Sequence, residues 1–357
     1  MNKFLTFLIM IVFLYAASCS DIDGEESSGY EIAVIVRNID DKSFNQSTWN
    51  GVKDYAENYG ISYKYYRVPD KNVELTLNAI DIAVRMGAKL IVTPGHIFET
   101  AIYKAQYMYT NVHFILIDGK PQDGTYTDYK IAKNTVSILY AEEEAGFLAG
   151  YSIVKEGYTN LGVIGGMALP PVIRFGYGFV QGAEFAANEL KIPKGNISIK
   201  YTYVGNYNNS IENQTLAESW YQSGTQVIFA PAGGAVKSVI NAAEDNGGLV
   251  VGIDVDQSFE SPTVITSSMK LIRESVYNAI ASYYNGNFNG GKITVLGAQV
   301  KGIGLPMATS KFKVFTEDDY NIIYDSLVKK KIKVLKDTDA ESIDKLPLNL
   351  VKINYIN

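Results

Sequence analysis

The sequence predicts an α/β protein of two lobes, each a doubly wound parallel sheet, joined by more than one strand crossover. Three observations predict it. From Glu31 onward, short β-branched runs alternate with amphipathic stretches of a dozen or more residues, which is the pattern of parallel βαβ units. The alternation completes one cycle, passes through a helical stretch near Glu142 and restarts. The body that follows the N-terminal features is about 330 residues long, 47% of the whole sequence is hydrophobic, and no second long apolar run occurs, so the chain can bury two cores.

The first residues read as an export signal. Lys3 precedes a largely apolar run from Phe4 to Ala17 that ends in the small residues Ala16, Ala17 and Ser18. The run is short for a membrane span and has the shape of a signal-peptide core. Cys19 follows immediately and is the only cysteine. An intramolecular disulfide is therefore excluded, and the thiol reads as a lipidation site that anchors the chain to a membrane. Ser20 to Gly29 is acidic, rich in Ser and Gly and without period, the composition of a flexible tether.

Strands are expected at Ile32 to Val36, Ile61 to Tyr65, Lys89 to Thr93, His113 to Ile117 and Thr135 to Leu139, with helices at Thr48 to Tyr59, Val73 to Met86 and Phe98 to Tyr107. These form one sheet. After a helix at Glu142 to Lys155, strands are expected at Leu161 to Gly165, Ile197 to Tyr203, Gln226 to Ala230 and Leu249 to Ile253, with helices at Phe175 to Glu189, Ile211 to Gln222 and Val236 to Asn246. The remainder holds a strand at Thr263 to Thr266, a helix at Met269 to Tyr284 and a helical stretch at Asp318 to Lys330. It is too short for a third domain, so the chain is expected to re-enter the first lobe near Thr263 and cross back near Val300. The resulting division is a signal at 1–18, a lipidated tether at 19–29, a first lobe of 30–138 with 260–298, and a second of 139–259 with 299–357.

Ligands of open parallel sheets bind beyond the carboxyl ends of the strands, which selects a short set of residues. Phe44 and Asn45 follow the first strand, an aromatic face beside an amide, suited to stacking a planar ring and reading its edge; an N-cap at Asp41 or Ser43 with Phe44 in the core explains the same residues. Asp118 and Asp254 follow strands of different lobes, where a carboxylate accepts hydrogen bonds from neutral hydroxyls. Gly95, Gly233 and Gly234 follow strands and permit close backbone approach. His96, beside Gly95, is placed to line the cleft. Lys270 opens a predicted helix, where the dipole disfavours a cation, so its side chain is expected to reach into the cleft.

Signals of other functions fail. The net charge of -6 argues against a nucleic-acid partner, and the basic run at Lys329 to Lys331 and Lys333 fits a solvated helix end. Gly165-Gly166-Met167 does not complete a dinucleotide fingerprint, and Gly290-Gly291-Lys292 is followed by Ile293 where a phosphate loop needs a hydroxyl. There is no nucleophile elbow. His96 and His113 are the only histidines and lack metal-ligand spacing, so no cofactor, metal or catalytic residue is expected.

The segments Asp41-Lys42-Ser43-Phe44-Asn45-Gln46, Phe147-Leu148-Ala149-Gly150, Gly162-Val163-Ile164-Gly165-Gly166-Met167 with Arg174-Phe175 and Gly178-Phe179, Gly252 to Gln257, and Thr266 to Lys270 together resemble the basic membrane protein family, lipoproteins typified by the spirochaetal purine nucleoside receptors. The resemblance runs in order from about Ile32 to Lys270. It implies a type I periplasmic-binding-protein fold and delivery of a nucleoside, a purine nucleoside first, to the permease of an ABC importer, with no chemistry performed on it. It also implies a role for each residue: Phe44 stacking on the base, Asn45 reading its edge, Asp118, Asp254 and Lys270 holding the ribose, Gly233 offering backbone and Phe175 a second aromatic wall. The chain departs from the family pattern at Ile35 to Asp41, where an aspartate at the end of the first strand is missing, and at Ala230 to Ala235, which lacks the usual Gly-Gly-Thr-Gly. The same residues leave open a sugar or polyol receptor of this fold, or a surface-exposed lipoprotein that binds host molecules.

Overall fold

A computed structural model describes residues 29–69 and 71–356. The expected export signal, Cys19 and the tether up to Ser28 lie outside the described residues. In chain order the elements are β1 (Ile32–Val36), α1 (Phe44–Tyr59), β2 (Tyr63–Arg67), α2 (Val73–Arg85), β3 (Leu90–Pro94), α3 (Glu99–Met108), β4 (His113–Ile117) and β5 (Thr135–Tyr140). There follow α4 (Glu142–Lys155), β6 (Asn160–Gly165), α5 (Pro170–Glu189), β7 (Ile197–Tyr203), α6 (Ile211–Gln222), β8 (Val227–Phe229), α7 (Val236–Asn246), β9 (Leu249–Asp254) and β10 (Val264–Lys270). The chain closes with α8 (Ile272–Tyr284), β11 (Lys292–Leu296), β12 (Ile303–Gly304), α9 (Glu317–Val328) and β13 (Val351–Tyr355).

Two sheets result, and they repeat one topology. The first runs β11-β5-β4-β3-β1-β2 and the second β12-β10-β9-β8-β6-β7-β13. All neighbours pair in parallel except β10 and β12. The run β2-β1-β3-β4-β5 matches β7-β6-β8-β9-β10 strand for strand, so each sheet has a switch point, at β1/β3 and at β6/β8, where a crevice opens beyond the carboxyl ends. Strands β1, β3 and β5 are buried along their whole length, as expected of central strands covered by helices on both faces.

Sheet membership corrects one expectation. The strand predicted at Thr263 to Thr266 as a return to the first lobe runs from Val264 to Lys270 and pairs with β9 in the second sheet. The chain returns to the first only with α8, which starts at Ile272. The predicted helix start at Met269 is thus displaced, because Ser268 and Met269 keep their ladder pairing to Ile253 and Asp254. Lys270 therefore ends a strand and is not a helix-opening residue. Strand β2 also begins two residues later than predicted, and β11, β12 and β13 fall in a tail left without strands by the sequence pattern.

Helices α4 and α5 meet backbone to backbone. A Cβ built on Gly146 or Gly150 would lie 2.1 and 1.9 Å from the carbonyl oxygens of Phe175 and Phe179, and one on Gly178 or Gly182 would lie 2.0 Å from those of Glu143 and Phe147. Only glycine at these four positions allows that approach. It sets Glu142, Arg174 and Phe175 side by side at the base of the cleft.

Candidate functional site

A cleft of about 870 Å³ opens between the two sheets at their carboxyl ends. All seven residues predicted to meet a ligand line it: Phe44, Asn45, Asp118, Phe175, Gly233, Asp254 and Lys270. His96 and Gly95 line it too.

The floor is built from matching positions of the two lobes. Asp118 directly follows β4 and Asp254 ends the topologically equivalent β9. Both have left-handed backbone, φ 55° and 64°, a conformation that costs a non-glycine residue about 1 kcal/mol and that Asp tolerates better than most. Gly95 and Gly233 follow the equivalent strands β3 and β8, also with positive φ, 100° and 52°, and each introduces a short 3₁₀ turn. Left-handed aspartates thus recur at corresponding places in both lobes, whereas the glycines adopt positive φ without strain.

Lys270 stands between the two aspartates. Its side chain is 3% exposed, and its Nζ donates to Asp118 Oδ2 at 2.6 Å. Asp254 Oδ1 and Glu142 Oε1 each lie 3.4 Å from the same nitrogen. The ring centroids of Phe175, Phe44 and Tyr140 surround it at 5.1, 5.6 and 5.6 Å, within cation–π reach. Burial opposes the charge, but the three carboxylates outweigh it and hold the Lys270 pKa well above its ordinary value.

One ammonium cannot satisfy three carboxylates. Asp118 Oδ1, Asp254 Oδ1 and both Glu142 oxygens are buried and accept no hydrogen bond among the described residues. Burial pushes the Asp254 carboxyl upward despite Lys270, and pushes Glu142 up to about 8. Arg174 relieves Glu142 only in part, because its guanidinium is committed to Asp337 through bonds of 2.6 and 3.2 Å and approaches Glu142 only to 3.7 Å. Glu142 is therefore the member of the cluster that keeps a proton near neutrality.

Above the floor, Asp41 shapes the turn that carries Phe44 and Asn45. It accepts from the backbone N–H groups of Ser43, Asn45 and Gln46 and from Asn45 Nδ2 at 2.6 Å, whereas Ser43 makes no side-chain cap bond. Asp41 is the cap, and Asn45 keeps its Oδ1 acceptor. The Phe44 ring is half-buried and lies against Gly95, where an added Cβ would come within 3.3 Å of it. Phe175 touches the cleft while 2% exposed, packed edge-on against Phe229 at 5.9 Å. Tyr207, which the sequence pattern did not single out, adds an aromatic ring over Gly233. Glu142, Arg174 and Asp337 were likewise missed as members of the floor cluster, since Asp337 joins it from the C-terminal tail, 163 residues from Arg174.

The fold and this cleft define a two-lobed α/β solute-binding protein. The comparisons with known proteins make the family specific. A family model described as ABC transporter substrate-binding protein, PnrA-like, matches residues 31–343, and the chain belongs to that family. Basic membrane protein D of Borreliella burgdorferi is 28% identical over 97% of this chain and 96% of its own. The ABC transporter nucleoside-binding protein BmpA of Lactococcus lactis is 27% identical over 83% of this chain and 89% of its own. Among solved structures, an ABC transporter solute-binding protein from Aeropyrum pernix superposes with a TM-score of 0.73 at 22% identity, over 88% of this chain and 95% of that one, a likeness of fold. Among the described residues no helix is long and apolar enough to cross a membrane.

Proposed function

We propose that this chain is an extracytoplasmic receptor, anchored by a lipid at Cys19, that captures a nucleoside between its lobes and delivers it to the permease of an ABC importer without altering it. The observation that carries this reading is the pair of buried acceptors, Asp118 Oδ1 and Asp254 Oδ1, facing one cleft from different lobes beside the Lys270 ammonium. Buried acceptors without donors are costly, and the hydroxyls of a ribose supply neutral donors to both while accepting from Lys270. The base then lies against Phe44, with Asn45 Oδ1 accepting an N–H from its edge. A ligand that completes contacts to both lobes favours a closed arrangement, which the transporter would recognise. The name of the Lactococcus lactis relative agrees with this chemistry.

Titration calorimetry with nucleosides, free nucleobases and pentoses tests it. A nucleoside should bind more tightly than either of its halves, since only the whole molecule engages the aspartates and Phe44 together. Equal affinity for a pentose and its nucleoside would instead support a sugar receptor, and absence of binding by every nucleoside would remove the reading.

A further inference from the structure

The rim of the cleft on the first lobe is cationic, in contrast to its floor. Four neighbouring strands, in spatial order β4, β3, β1 and β2, deliver Lys120, His96, Arg37 and Arg67 to the lining at their carboxyl ends. Val36 and Arg67 are register partners, so Arg37 and Arg67 stand one residue out of register at the ends of adjacent strands. Burial and then the Lys71 charge hold the His96 pKa below its ordinary value, with Asp118 opposing and Arg37 adding a smaller downward push.

Among the described residues, Arg37, Arg67 and Lys120 have no ion-pair partner. The two carboxylates that share this part of the lining are engaged otherwise. Asp41 caps α1, and Glu99 accepts the Lys120 backbone N–H at 2.8 Å and, at 3.4 Å, Gln122 Nε2. The second lobe adds Leu169, Pro170, Pro171, Val172 and Tyr207 to the lining, together with the Arg174–Asp337 ion pair. A guanidinium pair open to a cleft is suited to a planar anion, which it can grip through forked hydrogen bonds. The floor, by contrast, holds Asp118 and Asp254 against one ammonium, with Glu142 behind them, and repels an anion.

Resting on the nucleoside reading above, we infer that the preferred ligand carries its negative charge on the base: a nucleoside with an acidic ring, either a 2,6-dioxopurine or a carboxylated pyrimidine, its anionic edge held by Arg37 and Arg67. The floor takes the neutral ribose and the rim takes the charge.

Titration calorimetry at pH 8 with xanthosine and orotidine, against neutral inosine and uridine and against inosine 5′-monophosphate, decides this. At least one acidic nucleoside should bind about tenfold or more tightly than its neutral counterpart, equivalent to about 1.4 kcal/mol. The advantage should shrink as salt is added, and in the R37Q/R67Q double variant the ratio should fall towards one. Nucleoside binding without any advantage for xanthosine or orotidine overturns the inference and leaves the nucleoside reading standing. A gain for inosine 5′-monophosphate alone puts the anion on the sugar and also overturns it. Failure of every nucleoside to bind removes both readings together.

Discussion

A buried ammonium persists only where carboxylates surround it, and Lys270 has three of them, contributed by both sheets and by the first residue of α4. Their competition makes Glu142 a titrating group. Folded chain holds its proton up to about pH 8, whereas an exposed glutamate gives it up near 4.5. The folded state therefore binds more protons between those values, and the stability this provides is present at low pH and lost as pH rises through about 8. Urea unfolding across that range should show wild type losing stability relative to Glu142→Gln, the isosteric mimic of the protonated acid, with the difference flat above pH 8. Phe44 has a simpler role. Replacing it by alanine should weaken nucleoside binding by about tenfold or more, the worth of one base stack of ~1–3 kcal/mol, as read by calorimetry. A loss no larger than about twofold would mean that the ring only packs against Gly95.

At the scale of elements, the four glycines between α4 and α5 do what no other residue can. Gly178→Ala forces a methyl group onto the Glu143 carbonyl, and overpacking of this kind typically costs ~1–3 kcal/mol. Thermal unfolding should show a lowered midpoint, and an unchanged one would mean that the helices can separate without penalty. Most elements were legible in the sequence because β-branched runs such as Ile32–Val36 are buried on both faces and carry no competing helical period. Strand β11, half exposed at a sheet edge, and the two-residue β12 give too little pattern to be read. The extent of β10 was hidden for another reason: Thr-Ser-Ser has weak intrinsic preference, and pairing with β9 decides it. The candidate site was more legible than the tail because most of its predicted residues end a strand, follow one or open the next helix, with Phe175 inside α5 the exception, and Asp118 and Asp254 announce themselves as carboxylates there. Tyr207, Glu142 and Asp337 enter through tertiary packing, which no local pattern records.

For the whole molecule, the chain passes between sheets three times: after Tyr140, after Lys270, and between Leu296 and Ile303. Lys270 sits at the second crossing and bonds Asp118 across it, and Lys42 reaches Glu260 at 3.3 Å from the other lobe. Crossings gathered at one edge can serve as a hinge, and on the proposed reading ligand contacts from both sides would bias it. Small-angle scattering should show the radius of gyration falling when a bound nucleoside is added, and a curve unchanged at saturation would argue against closure. The central claim is that one small ligand is held at once by Asp118, Asp254 and Phe44. A crystal structure with inosine bound tests it most directly. Ribose hydroxyls within hydrogen-bond distance of both aspartates and of Lys270, with the base stacked on Phe44, are the predicted result, whereas inosine seated away from these residues, or turned with its base among the aspartates, would contradict it.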